Sequence, residues 1–246
     1  MKRAHSITVA IPAYNEADSI LAVASEALTA ASSYTKDYEL LLVDDGSEDG
    51  TGNIMDTIAK GNSRVVVAHH AHNLGFSGAI KTCYKRSTKE LIFLLPADGQ
   101  VHASDMTIFL NKIDDADVVV GYRIQNPEPL FRQINSRVFH MLYRTLFGVR
   151  LREISTSILW RKSVIDSINI TAIPGSALIE PEVIYKAWNK GFRFAEVAIP
   201  YYPRVTGSPK GANVRMILVT LQELLRLWWE VRIKNRFRIK DVRFKI

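Results

Sequence analysis

The sequence predicts a doubly wound α/β fold with a mostly parallel sheet, on three observations. Short apolar, β-branched runs recur through the first half of the chain. Helix-length segments separate the first four of them. The densest polar clusters stand directly after the runs. Alternation of this kind gives a sheet with helices on both faces, and ligands of such sheets bind where loops leave the carboxyl ends of the strands.

Ile7–Ile11 is the first run, stopped by Pro12; Glu39–Val43 is the second, stopped by the turn cluster Asp44-Asp45-Gly46-Ser47. Val65–Ala68, Leu91–Leu95 and Val118–Val120 repeat the pattern, with helices expected over Asp18–Ala31, Thr51–Lys60 and Ser77–Arg86. After Tyr122 the alternation loosens. Helices are expected over Leu130–Phe147 and Glu180–Asn189, strands over Ser157–Trp160 and Phe192–Ile199, and the Pro-, Gly- and Lys/Arg-rich stretch Tyr201–Ala212 reads as a loop.

A chain of 246 residues with 47% apolar content can bury one sizeable core and carry a short appendage. The expected division is a body over residues 1–211 and an amphipathic helix with a basic tail over 212–246. From Asn213 to Ile246, nine basic and three acidic residues carry +6 of the net charge of +7, so the body is nearly neutral and the tail cationic. Such a tail suits an anionic surface, a membrane or a nucleic acid. In Asn213–Val231, Val214, Ile217, Leu218, Leu221, Leu225 and Trp228 repeat at helical spacing. Gln222, Glu223, Arg226 and Glu230 interrupt the stretch too often for a bilayer span, leaving packing on the body or an interfacial helix as the two readings. Trp228, Trp229 and the basic-aromatic tail favour the lipid surface. Cys83, the single cysteine, excludes an intrachain disulfide and reads as a small core residue. With no apolar leader after Met1-Lys2-Arg3, the protein is expected in the cytosol, peripheral on the membrane's cytoplasmic face.

Three strand ends carry polar clusters: Pro12-Ala13-Tyr14-Asn15-Glu16 after the first, Asp44-Asp45-Gly46-Ser47-Glu48-Asp49-Gly50-Thr51 after the second, and Ala97-Asp98-Gly99-Gln100 after the fourth. Neither a G-x-G-x-x-G nor a Walker-type glycine loop is present. Acidic and amide groups instead suit hydrogen bonds to a base and ribose, and a divalent cation bridging phosphates. Asp-Asp-Gly-Ser is also ordinary turn chemistry: for Asp44, capping and ligand binding stand even, whereas Asp45 reads as a ligand contact. Glu16 can favour the dipole of the helix it enters or line a site. His69, His70 and His72, without cysteines or a second cluster, read as a polar strand end rather than a metal site.

With these residues in view, the chain resembles the family-2 glycosyltransferases of the GT-A fold, and among them the polyprenyl-phosphate sugar transferases. The resemblance spans roughly the first 210 residues as loose segment matches. It rests on Val9–Glu16, Leu42–Thr51, Asn73-Leu74-Gly75 and Ala97–Gln100 in that order, each at a strand end or in the loop after it. It implies that Pro12, Ala13, Tyr14 and Glu16 line a nucleotide pocket with Asp44 beside them, and that Asp45 contacts the base or ribose. Asp98 and Gln100 would hold Mg²⁺ or Mn²⁺ on the donor diphosphate, although Pro96 stands where the family carries a second carboxylate. Gly121-Tyr122-Arg123 resembles a family Gly-Ser-Arg, and Arg132 and Ser136, four apart on one helix face, match an Arg and Ser that grip an acceptor phosphate. Arg204–Lys210 resembles a loop that closes over donor phosphates, with Arg204 and Lys210 as its cations. Arg152–Trp160 lacks the Asp and Ser-Gly of the family motif.

The implied activity is inverting transfer of a hexosyl group from a nucleoside-diphosphate sugar to a polyprenyl phosphate, at a membrane and with no nucleic acid as partner. Two rivals stand beside it: transfer to a hydroxyl acceptor with Glu153 as base, and a catalytically poor binding module that recruits partners to a membrane.

Overall fold

The computed structural model describes residues 4–124, 130–154, 157–200, 202–203 and 214–234, with backbone alone at 131–132, 214–218 and 233–234. Seven strands form one sheet in the order β3-β2-β1-β4-β6-β5-β7. They are β1 (Ile7–Ala13), β2 (Tyr38–Asp44), β3 (Val65–His69), β4 (Leu91–Leu94), β5 (Val118–Arg123), β6 (Ile158–Arg161) and β7 (Phe194–Ile199). The helices are α1 (Ala17–Tyr34), α2 (Thr51–Gly61), α3 (Gly75–Arg86), α4 (Met106–Leu110), α5 (Leu130–Phe147), α6 (Lys162–Asp166), α7 (Ile179–Asn189) and α8 (Val214–Trp229). The expected elements are all present within a few residues, and α4 and α6 are additions. At five residues each, those two helices are too short for a periodic signal.

β1 pairs in parallel with β2 on one side and β4 on the other. β6 enters antiparallel between β4 and β5, and β7 pairs in parallel with β5. Near-continuous apolar strands follow from burial on both faces. Along β1, Ile7, Val9, Ile11 and Ala13 face the layer that holds α1 residues Ile20, Val23 and Ala27, while Ala10 faces the layer of Ile80, Cys83 and Tyr84 from α3. Cys83 is fully buried there, and burial pushes its thiol far above the ordinary range, as befits a core residue.

The second layer extends through α5, α7 and α8. Leu224 and Leu227 of α8 are buried in it. Thr220 Oγ1 accepts the N–H of Ala177 at 3.3 Å, and Glu223 Oε1 that of Ile173 at 3.1 Å. One face of α8 therefore packs on the body, while Leu221, Leu225 and Trp229 stay exposed on another. The basic tail beyond Lys234 lies outside the described residues.

Candidate active site

The strand order reverses at β1: the chain runs outward through β2 and β3 on one side, then returns to β4 on the other. At such a switch point the two departing loops separate and leave a crevice at the strand ends. Into it project the loops after β1, β2 and β4, so the three polar clusters of the sequence become neighbours.

The first two loops are laced together. Asn15 is the one non-glycine residue with positive φ (52°) among the described residues, a conformation that Asn tolerates better than most side chains. Its N–H donates to Ser47 Oγ at 2.9 Å, and its own Oδ1 accepts the N–H of Glu48 at 2.8 Å. Helix α1 has no side-chain cap of its own. Instead, the N–H of Glu16 donates to Thr51 Oγ1 at 2.9 Å and that of Ala17 to Asp49 Oδ2 at 3.1 Å. The loop after β2 thus supplies the capping acceptors that the start of α1 requires. Ser19, unremarkable in sequence, donates to the Ala97 carbonyl at 2.7 Å and lies 3.3 Å from Glu16 Oε2, tying α1 to the loop after β4.

Asp44 and Asp45 are both buried, and two histidines hold them. Asp44 Oδ1 accepts the N–H of Ser47 at 3.0 Å, and its Oδ2 lies 3.0 Å from His69 Nδ1; His69 Nε2 meets Asp56 at 3.0 Å. Burial raises the Asp44 pKa, but the bonds from Ser47 and His69 outweigh it and leave the carboxyl below its ordinary value. His69 is correspondingly raised, by its bonds to Asp44 and Asp56 against burial. Asp45 Oδ1 takes His70 Nδ1 at 2.6 Å and the N–H of Leu74 at 2.9 Å. The strand-end histidines are therefore supports for the two aspartates, a role that sequence alone did not assign. Gly46, at φ +71°, lies so close to the 72–73 backbone that a Cβ there would stand 2.6 Å from His72 C. The glycine of Asp-Asp-Gly-Ser is what lets the loops after β2 and β3 touch.

The third cluster is an Asx-type turn: Gln100 N–H donates to Asp98 Oδ1 at 3.1 Å across Gly99, which has φ +72°. Tyr202 N–H donates to the Gln100 carbonyl at 3.0 Å, and Gln100 Nε2 reaches the Tyr202 carbonyl at 3.4 Å. Tyr202 is therefore held beside the Asp98 turn. Arg204 and Lys210 themselves lie outside the described residues. Asp98 and Gln100 are half-buried, and both offer hard oxygen donors of the kind Mg²⁺ and Mn²⁺ prefer. No group of three His, Cys, Asp or Glu forms a ready metal cage among the described residues. One carboxylate and one amide oxygen fit a cation that completes its shell with phosphate oxygens and water.

On the far side of β4, Arg123 ends β5. Its Nε donates to Glu153 Oε1 at 3.0 Å and Oε2 at 3.1 Å, and its N–H donates to Oε2 at 3.0 Å. Arg152 lies over the Tyr122 ring, 4.3 Å from its centroid. Ser136 is half-buried on α5; the side chain of Arg132, one turn earlier, lies outside the described residues. The clusters after β1, β2 and β4 and Arg123 at the end of β5 thus stand along one edge of the sheet, with β6 between β4 and β5.

Residues 8–167 match the family described as Glycosyl transferase family 2. A polyprenol monophosphomannose synthase of Mycolicibacterium smegmatis is 27% identical over 230 residues, covering 87% of this chain and 85% of that protein. An undecaprenyl-phosphate 4-deoxy-4-formamido-L-arabinose transferase of Enterobacter sp. is 30% identical over 167 residues, 67% of this chain; the chain matches about half (51%) of that relative's length. Among solved structures, glucosyl-3-phosphoglycerate synthase of Mycobacterium tuberculosis, in complex with Mg²⁺ and uridine diphosphate, superposes with a TM-score of 0.64. It is 18% identical, over 89% of this chain and 79% of that one. A mannosyltransferase of Pyrobaculum calidifontis, in complex with GDP-Man and Mn²⁺, gives a TM-score of 0.65 at 16% identity, over 92% and 65%. The expected GT-A fold is the one observed.

Proposed function

The chain belongs to glycosyl transferase family 2, and from that premise we propose that it moves a hexosyl group from a nucleoside-diphosphate sugar to a polyprenyl phosphate, inverting the anomeric carbon. The observation that carries the reading is the convergence of Tyr14–Glu16, Asp45 and Asp98 on one crevice at the switch point, with Arg123 at the end of β5 farther along the same edge. The relatives whose names specify polyprenol or undecaprenyl phosphate supply the acceptor class.

In this reading the laced loops after β1 and β2 hold the nucleoside, with Asp45 fixed from behind so that its contact with base or ribose costs little reorganisation. Asp98 and Gln100 would hold a divalent cation, which would supply charge neutralisation for the departing diphosphate. Glycosyl transfer passes through an oxocarbenium-like state, so the demand on the protein is stabilisation of leaving-group charge rather than a strong base. Arg204 and Lys210 share that task, and Tyr202, two residues before Arg204, is bonded to Gln100 of the Asp98 turn. The acceptor phosphate is already ionised and requires positioning, which Arg123, Arg132 and Ser136 provide. Glu153, the candidate base of the hydroxyl-acceptor rival, has both oxygens engaged by Arg123, an observation that favours the phosphate.

A lipid acceptor also gives the exposed apolar faces a purpose. Leu130, Ile134, Val138 and Met141 stand exposed along α5 at spacings of three and four, and Leu221, Leu225 and Trp229 do so along α8. Among the described residues no helix is long and apolar enough to cross a membrane. Both helices would lie on the lipid surface, joined by the basic tail. Incubation with UDP- and GDP-sugars, Mg²⁺ or Mn²⁺ and a polyprenyl phosphate tests the reading; solvent-extractable sugar with stoichiometric nucleoside diphosphate is the expected result.

A further inference from the structure

His140 lies on the inner face of α5, 6% exposed, and neither ring nitrogen has a hydrogen-bond partner among the described residues. Buried polar atoms are seldom left this way without a bound group that completes them. An imidazole has two hydrogen-bonding nitrogens, and leaving both empty costs more than a leucine of similar size would. Placement adds a direction. Positions 132, 136 and 140 are four apart and share one face of α5. Helical side chains lean toward the helix N-terminus, so the ring of His140 extends beneath the turn that carries half-buried Ser136. Arg123 lies close enough to act on the ring electrostatically.

We infer that His140 is an acceptor-binding residue, donating a ring N–H to a non-reacting oxygen of an acceptor phosphate that enters beside the α5 face carrying Ser136, with Arg123 near the ring. This rests on the phosphate-acceptor reading above. Burial, with Arg123 and Arg144 adding to it, lowers the imidazole to about 4, so the ring is neutral near pH 7 and offers one N–H donor. A neutral donor adds orientation beside the arginines without burying a further charge. Its remaining nitrogen accepts, which a water accompanying the phosphate can satisfy.

The test uses the full chain with farnesyl phosphate as acceptor and three substitutions. His140→Leu removes both polar atoms while keeping bulk; His140→Asn and His140→Gln place an amide N–H near the positions of Nδ1 and Nε2. The inference expects His140→Leu to melt at or above the wild-type temperature, because it deletes unsatisfied groups. It also expects the acceptor KM to rise by roughly tenfold or more, as for a lost bond to a charged group, with the donor KM unchanged. One of the two amides should restore the acceptor KM to within about threefold. An unchanged acceptor KM in His140→Leu, or a loss of melting temperature that neither amide repairs, would overturn the role. If the wild-type protein transfers sugar to no prenyl phosphate, the acceptor reading falls and this inference with it. If the wild type transfers and His140→Leu matches it, only His140 is removed.

Discussion

His70 Nδ1 lies 2.6 Å from Asp45 Oδ1, while its Nε2 lies 2.8 Å from Thr82 Oγ1, so α3 reaches the crevice at the switch point through one imidazole. Replacing His70 by Ala should leave Asp45 without its imidazole support while the Leu74 N–H still holds Oδ1. The donor KM is expected to rise by about tenfold, because small displacements of a positioning group cost one to two orders of magnitude. The acceptor KM should stay constant. Steady-state kinetics in both substrates reads the difference, and equal changes in the two would show that His70 supports the fold generally.

Gly46 and Gly50 both have positive φ, yet only the first meets other backbone: a Cβ on Gly46 would stand 2.6 Å from His72 C, and one on Gly50 meets nothing within 4 Å. Gly46→Ala should therefore cost about 1–3 kcal/mol of overpacking beyond the backbone strain that the two share. Denaturant melts of the two variants side by side check this. Equal losses would mean that the loops after β2 and β3 are not in contact.

Glu180 is buried at the start of α7, and burial pushes its carboxyl from 4.5 up to about 8. The folded state then holds a proton that the unfolded chain has already released between those values. This contribution to stability is full below pH 4.5 and falls as pH rises toward 8. Glu180→Gln removes the titration, so its melting temperature relative to wild type should climb steadily from pH 5 to pH 8. A constant gap across that window would place the Glu180 carboxyl in water.

Asp98→Asn should reduce transfer by about two orders of magnitude while preserving the fold, because Pro96 offers no second carboxylate beside it. The Gln100 N–H can still bond the remaining amide oxygen, so the turn should persist. Circular dichroism alongside turnover separates the two effects, and near-normal turnover in folded protein would remove Asp98 from the mechanism.

The sheet was legible because its strands are buried on both faces and therefore read as unbroken β-branched runs such as Leu40–Val43. The meeting of the polar clusters was legible to the same degree, since Glu16, Asp45 and Asp98 each follow such a run. Partners across the fold were not. Nothing local in His70 announces an aspartate 25 residues earlier in the chain, nor does Glu153 announce Arg123 on another element. The antiparallel entry of β6 was equally hidden, because strand direction is set by which neighbours a segment meets, and a four-residue run carries no sign of it. His140 went unnoticed for a related reason: an orphaned nitrogen is a property of the packed interior. The helical pattern of Asn213–Val231 left packing and lipid contact open, and α8 has one face suited to each.

The central claim is that the sugar passes to a lipid phosphate. The most direct measurement offers the purified chain a nucleoside-diphosphate sugar, Mg²⁺ or Mn²⁺, and equal amounts of a polyprenyl phosphate and the matching free polyprenol, with mass spectrometry of the extracted lipid. The account predicts a sugar–phosphate–lipid diester with inverted anomeric configuration and no glycosylated polyprenol. Sugar found on the polyprenol hydroxyl, or nucleoside diphosphate released with no lipid-linked sugar at all, would contradict it.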